Sequence, residues 1–114
     1  MHELSLAESM VQLIEATQQR EGFRRVCVVH LDVGELACVE PRALEFAFTS
    51  ASAGTCAEGA KLALRYVPGA GVCPGCGNHA AMPTLYECCP ACQAHPLTAV
   101  AGTQMQLRDL DVVD

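Results

Sequence analysis

The stretch CPGCGNHAAMPTLYECCPACQ, residues 73–93, carries the same short motif twice. CPGCG begins at residue 73 and CPACQ at residue 89, and twelve residues lie between the two C-x2-C pairs. Each pair is short enough for both sulfurs to reach one ion, and four thiolates complete the tetrahedral shell that zinc prefers. The motif therefore predicts a structural Zn(II) site formed by Cys73, Cys76, Cys89 and Cys92. Such a closed site has no open coordination position for catalysis.

Three neighbouring residues leave alternatives open at this site. Cys88 directly precedes Cys89 and could replace it, although the Cys-Pro order of both motifs favours Cys89. A redox pair or disulfides would be other uses of C-x2-C, but two matched pairs argue against both. His79 and His95 flank the pairs and could exchange into the zinc shell; the simpler interpretation is that both are exposed loop histidines.

Outward from this motif, residues 71–99 differ in composition from the rest of the chain. They are rich in Gly, Pro and Cys, and they contain no convincing helix pattern. We predict a zinc-ribbon-like domain with four cysteine ligands at 71–99, inserted into an α+β domain made of residues 1–70 and 100–114. Because the insert has few large apolar side chains, metal binding would supply its folding free energy.

Hydrophobic periodicity outside the insert predicts two helices and three strands. Steps of three and four residues indicate helices, and alternation or a short Val-rich run indicates strands. A change of phase between Leu107 and Leu110 makes a bulge possible in the last strand. The predicted fold class is α+β, a three-stranded sheet with two helices on one face. The predicted elements are helices at 3–20 and 41–53 and strands at 25–34, 61–67 and 103–112.

The remaining cysteines give no indication of catalysis. In the strand at 25–34, Cys27 would share one face with Val29, whereas His30 lies on the opposite face and cannot serve Cys27 as a base. We interpret Cys27, Cys38 and Cys56 as small buried or half-buried apolar residues. The prediction is therefore that the chain is not an enzyme.

The composition limits the partners and the compartment. Thirteen acidic and seven basic residues give a net charge of −6, which disfavours nucleic acid and anionic membranes as partners. No apolar run approaches the roughly 18 residues needed to span a bilayer, and no signal-peptide pattern opens the chain. A cytoplasmic location is expected, where thiols stay reduced. A zinc-stabilised adaptor that binds another protein remains an alternative function.

The opening residues MHE offer a second set of metal ligands. The amine of Met1, the backbone nitrogen of His2 and the imidazole of His2 can close adjacent chelate rings, and Glu3 adds a backbone nitrogen and a carboxylate. Tetragonal nitrogen and oxygen donors suit Ni(II) or Cu(II). An exposed histidine without a metal is the alternative interpretation of so short a motif.

Four segments in this order resemble the HypA/HybF family of nickel metallochaperones in [NiFe]-hydrogenase maturation. The resemblance implies a small α+β nickel-binding domain with an inserted zinc domain. It also implies delivery of Ni(II) to the hydrogenase large-subunit precursor together with a partner GTPase, and in some members service to urease maturation factors. The segments are MHELSLAESM at 1–10, HLDVGELACVEPRALEFAF at 30–48, the paired C-x2-C motifs, and GTQMQLRDLDV at 102–112.

The resemblance also implies roles for individual residues. His2 would be the indispensable nickel ligand beside the backbone nitrogens of His2 and Glu3, and Glu3 would contribute to the GTPase contact. Glu40 falls where family members carry an acidic residue near the nickel site.

The chain departs from the family pattern at Gln93, where glycine often follows the second pair, and at Gln104, where an acidic residue is common. Both a monomer and a homodimer are compatible with the sequence. The four cysteines of the motif match the family's zinc ligands.

Overall fold

The structure is a computed structural model that describes residues 2–114. It contains two α-helices, one 3₁₀ turn at Glu35–Ala37 and six strands among the described residues. The predicted α+β class is confirmed. None of the helices at residues 2–114 is long and apolar enough to cross a membrane. The elements are α1 His2–Glu21, β1 Arg25–Gly34, α2 Pro41–Ser52, β2 Lys61–Val67, β3 Ala70–Val72, β4 His79–Ala81, β5 Thr98–Ala101 and β6 Met105–Val113.

Helix α1 forms where the apolar period predicts it and begins one residue earlier, at His2. Its buried residues, Ala7, Met10, Val11 and Ile14, recur at steps of one, three and four residues and form one stripe. The helix ends at Glu21, and Gly22 caps it with a left-handed φ of 78° and an amide bond to the Gln18 carbonyl at 2.8 Å. The stripe packs against α2.

Helix α2 begins at Pro41, as predicted, because proline suits the first helical position. Glu40 is its N-cap, and a carboxylate oxygen of Glu40 accepts a hydrogen bond from the Ala43 amide at 2.6 Å. The helix buries Leu44 and Phe48 with Ala47 between them. It ends at Ser52, one residue before the predicted end.

The long strands form one three-stranded sheet in the order β2-β1-β6. The amide of Arg24 bonds to the Val113 carbonyl, and the amide of Gly34 bonds to the Gln104 carbonyl, both at 2.8 Å. Between these two bonds the β1 side advances by ten residues and the β6 side by nine, so the extra residue lies on the β1 side. Half-buried positions in β6 also change phase between Leu107 and Leu110. The phase change in β6 agrees with the bulge predicted in that strand, whereas the hydrogen-bond register places an extra residue in the β1 segment.

Two cysteines outside the motif are more exposed than predicted. Cys27 is exposed, because the buried positions of β1 pass from Val26 to Val29 and break the expected alternation. The Val26 amide bonds to the Cys56 carbonyl at 2.9 Å, so β1 starts against this loop. Cys38 is exposed at the end of the 3₁₀ turn, whereas Cys56 is half-buried as predicted.

The chain forms two compact units. The first contains the residues up to Leu31, 39–64 and 107–114, and the second contains residues 32–38 and 65–106. The second unit is thus longer than the predicted insert at 71–99, and the domain boundaries remain a prediction. The first unit buries the helix stripes together with Phe23, Val26, Val29 and Leu31.

The second unit contains a small antiparallel sheet, in the order β4-β3-β5, that the sequence pattern did not predict. Gly71 at its centre pairs with Ala80 on β4 and with Ala99 on β5. As predicted, no helix forms within residues 71–99. Its core is a small cluster of buried side chains, and two of them are cysteines of the motif. The cluster contains Leu36, Cys73, Met82, Cys89 and Leu97.

Candidate metal centres

The fold brings the four predicted zinc ligands into one cluster. All four Sγ atoms lie within 4.8 Å of one another. The Sγ atoms of Cys73 and Cys92 are 3.7 Å apart, and those of Cys76 and Cys89 are 3.6 Å apart. Zinc–sulfur bonds of about 2.3 Å at tetrahedral angles place sulfurs about 3.8 Å apart. The cluster therefore has the dimensions and the donor set of a tetrahedral thiolate site.

Two similar loops present these thiols. In the first loop, the Gly77 amide bonds to the Cys73 carbonyl at 2.8 Å, and Gly77 adopts a φ of 76°. In the second loop, the Gln93 amide bonds to the Cys89 carbonyl at 2.9 Å, and Gln93 adopts a φ of 59°. Gln93 therefore takes the left-handed conformation although it has a side chain. The departure from the family pattern at this position leaves the geometry of the turn intact.

Hydrogen bonds from backbone amides lower the pKa of two of the thiols. A hydrogen bond from the Cys76 amide lowers the pKa of Cys73. The Cys92 amide likewise lowers the pKa of Cys89, to about 6. The Asn78 amide lowers the pKa of Cys76, but the neighbouring thiols together raise it, to about 11. Because metals bind the thiolate form, Cys73 and Cys89 are the thiols that are best prepared for metal binding.

The structure distinguishes Cys88 from Cys89 as a candidate metal ligand. Cys89 is buried in the cluster, whereas Cys88 is exposed and forms an isolated β-bridge with Pro96. His79 and His95 are both exposed, and neither belongs to the cluster. The His95 ring nevertheless lies over the first loop, since a Cβ added at Gly75 would come within 2.2 Å of it. Sequence reasoning did not single out Asn78, whose side-chain amide lies 4.0 Å from the Cys89 sulfur.

The fold also brings together three described residues of the predicted nickel site. His2 opens α1 with a side chain that is 54% exposed, and its Nδ1 lies 3.5 Å from a carboxylate oxygen of Glu3. The same Glu3 oxygen lies 3.5 Å from the amide of Glu40, which is 37 residues away in sequence. The first residues of both helices therefore meet. The predicted contribution of the Met1 amine lies outside the described residues.

Acidic side chains offset the positive ends of the two helices. Hydrogen bonds from its own amide and then from the Glu40 amide lower the pKa of Glu3, and His2 contributes less. Glu40 caps α2 with one oxygen, and among the described residues its other oxygen has no hydrogen-bond partner. Helix N-termini attract anions, so without Glu3 and Glu40 this corner would repel a divalent cation. With both carboxylates present, the corner provides oxygen and imidazole donors.

Comparisons with known proteins identify the family. A family model described as "Hydrogenase/urease nickel incorporation, metallochaperone, hypA" matches residues 1–112. Hydrogenase maturation factor HypA from Dechloromonas aromatica is 42% identical over 112 residues, which cover 98% of this chain and 99% of the relative. HypA from Geobacter sulfurreducens has the same identity and the same coverage of both chains.

The fold has solved counterparts. The solution structure of the Ni metallochaperone HypA from Helicobacter pylori superposes with a TM-score of 0.70 at 18% identity, covering 97% of both chains. A second solution structure, of a HypA protein, gives a TM-score of 0.71 at 21% identity and covers 99% of this chain and 97% of that one. At these identities the structures support the fold alone. Together with the full-length match to the family model, the curated relatives show that the chain belongs to the HypA family of hydrogenase maturation factors.

Proposed function

We propose that this chain binds Ni(II) at the start of α1 and delivers it during hydrogenase maturation. His2 is the central ligand through its imidazole, and backbone nitrogens of His2 and Glu3 and the Met1 amine complete a tetragonal set. The observation that carries the proposal is the exposed His2 beside the carboxylate of Glu3, in a chain that matches a nickel-incorporation family over residues 1–112.

The exposure of this corner suits a carrier better than a permanent cofactor site. A carrier must bind its ion and also release it, and the His2 side chain is accessible to a receiving protein. Protons compete with the metal for the nitrogen donors of the site, so metal binding depends on pH. Nickel affinity is therefore expected to fall on acidification.

The four-cysteine cluster has a different role in this proposal, that of a structural Zn(II) site. Its four sulfurs match the spacing of a tetrahedral zinc shell, and two of them belong to the small core of the second unit. Zinc would supply coordination bonds that fix both loops to each other. It would leave no open position for chemistry.

The proposed partners follow from the family. We propose the hydrogenase large-subunit precursor as the acceptor of nickel and a hydrogenase-maturation GTPase as the partner in delivery, with Glu3 at the GTPase contact. Urease maturation factors are a second class of acceptor, since the family model names urease. We place the delivery in the cytoplasm, where the thiols stay reduced.

The experiment that tests the nickel site is a calorimetric Ni(II) titration of the zinc-loaded chain. The unmodified chain is compared with His2→Ala and with a form that carries extra residues ahead of Met1. Loss of a one-to-one micromolar site in both changed forms supports the full ligand set. If only His2→Ala abolishes binding, the amine is not a ligand, and if neither form loses binding, the nickel site lies elsewhere.

Glu40 needs a separate test because it already has a structural role. Glu40→Gln keeps an oxygen for the Ala43 amide and removes the charge. We expect a slightly lower thermal midpoint, because the charge at the helix N-terminus is lost. We expect a nickel affinity that is lower by about threefold to tenfold, the effect of about 1 kcal/mol. An unchanged nickel affinity would reduce Glu40 to a helix cap.

A further inference from the structure

We propose that the second unit carries a docking groove for an extended peptide segment of a partner protein, with a large apolar residue flanked by Lys or Arg. The groove has a volume of about 260 Å³. Its lining residues include none of the candidate zinc or nickel ligands. We call it the tyrosine groove, and its principal lining residues are Glu35, Leu36, Cys38, Pro83, Leu85 and Tyr86.

The exposed side chains at the groove are of the kind that binds proteins. Tyr86 is 91% exposed and its neighbour Leu85 is 47% exposed, so both present apolar area to solvent. Tyrosine is enriched at the energetic centres of protein interfaces, because its ring gives a large contact area at low entropic cost. Tyr66, which is 56% exposed, lines a second groove of about 250 Å³ that shares Glu35 with the first. The apolar surface therefore continues on both sides of this carboxylate.

The loop that carries Tyr86 is held in place by hydrogen bonds. The Thr84 hydroxyl donates to the Glu87 carboxylate at 2.6 Å, and the Tyr86 amide donates to the Thr84 hydroxyl at 3.3 Å. The Glu87 carbonyl accepts from the Leu97 amide at 2.9 Å. An ordered loop presents the ring with little entropy left to lose on binding, which favours recognition.

The floor of the groove is also fixed. Leu36 is buried in the core that contains Cys73 and Cys89, and its amide bonds to the Gly102 carbonyl at 2.7 Å. One oxygen of Glu35, which lines the groove, accepts from the Gly69 amide at 2.9 Å, and this bond fixes the position of the carboxylate. The groove is therefore a preformed feature of the second unit.

The volume and the charge of the groove indicate which kind of peptide it can bind. The groove is smaller than the roughly 300–1,000 Å³ of typical small-molecule sites and suits one large side chain. Residues 32–38 and 65–106 contain three acidic side chains, and their single basic side chain, Arg65, bonds to Asp32 at 2.7 Å. Glu35 thus has no cation of the same unit to pair with at the groove. A Lys or Arg beside the inserted apolar residue would supply that charge.

The test uses the zinc-loaded full chain without nickel, so that its outcome does not depend on the proposed nickel site. A displayed library of short random linear peptides is selected on the unmodified chain and counter-selected on Tyr86→Ala. We expect the enriched peptides to share one large apolar residue with Lys or Arg close by. Selected peptides are then made synthetically, and their binding is followed by fluorescence anisotropy and by amide chemical shifts.

Point variants distinguish peptide binding in the tyrosine groove from nonspecific binding elsewhere on the surface. Tyr86→Ala and Leu85→Ala should each weaken binding about tenfold, as expected for residues at an interface centre. Glu35→Gln keeps the bond to the Gly69 amide but should weaken binding of the basic peptides and reduce its salt dependence. Phe46→Ala is the matched control, because Phe46 is 79% exposed on α2 in the first unit and should leave binding unchanged.

Three results would overturn the proposal. The first is enrichment that does not differ between the unmodified chain and Tyr86→Ala. The second is a set of enriched peptides without basic residues, or with acidic ones. The third is self-association in sedimentation velocity that Tyr86→Ala abolishes, which would make a second copy of the chain the occupant of the groove.

Discussion

At the scale of single residues, the two metal loops differ at one equivalent position. Gly77 and Gln93 both follow a C-x2-C pair and both have a positive φ, 76° and 59°. Glycine adopts this conformation without steric cost, whereas for a residue with a Cβ it costs about 1 kcal/mol or more. The second loop therefore holds a strained residue that the first loop avoids.

This difference predicts opposite effects for two substitutions. Gln93→Gly should stabilise the zinc-loaded chain by up to about 1 kcal/mol, because it relieves the left-handed strain. Gly77→Ala should destabilise it by about 1 kcal/mol for the same reason. Thermal unfolding and the half-time of zinc loss to a chelator measure both effects. If both substitutions change the stability in the same direction, the backbone conformation is not the cause.

At the scale of elements, close backbone contact determines how the end of β1 packs. Gly34 has a φ of −69° and a ψ of 140°, an ordinary extended conformation that any residue adopts. A Cβ at this position would nevertheless come within 2.2 Å of the Gly102 carbonyl oxygen. Glycine is therefore required at residue 34 by packing alone, and the strand conformation does not require it.

This contact makes Gly34→Ala a test of the packing. We expect a loss of stability of about 1–3 kcal/mol, because backbone atoms must move to accept the methyl group. Gly59→Ala is the matched control, since Gly59 has a positive φ of 78° but no atom within 4 Å of its added Cβ. Denaturant unfolding of both variants separates steric overlap from backbone strain. A smaller effect at Gly34 than at Gly59 would contradict the interpretation.

At the scale of the whole molecule, the two units differ in how they are stabilised. The first unit buries a stripe from each helix and four residues between Phe23 and Leu31. The second has only five residues in its buried cluster, and two of these are candidate metal ligands. Because structural zinc contributes about 10 kcal/mol or more in small metal domains, the second unit should depend on the ion far more than the first.

Metal removal should therefore unfold only part of the chain. After chelation under reducing conditions, the helical circular-dichroism signal should persist while β3, β4 and β5 lose protection against hydrogen exchange. Cys89→Ser should reproduce this state, and Cys88→Ser should resemble the unmodified chain. Loss of the helical signal in parallel with the exchange would show that the units fold together.

Local sequence patterns determined most of the elements of this protein and the identity of its metal-ligand candidates. The helix stripes, the strand at 25–34 and the two C-x2-C loops are set by residues close together in the chain, so they could be predicted. The exposure of Cys27 and the short strands of the second unit could not. Each depends on backbone pairing and register between distant segments.

The tertiary structure alone brought Glu3 to the amide of Glu40 and placed the 83–86 loop beside Glu35. Both contacts join residues tens of positions apart. No periodicity or short motif encodes such a distance, because it is set by how helices and loops pack after they form.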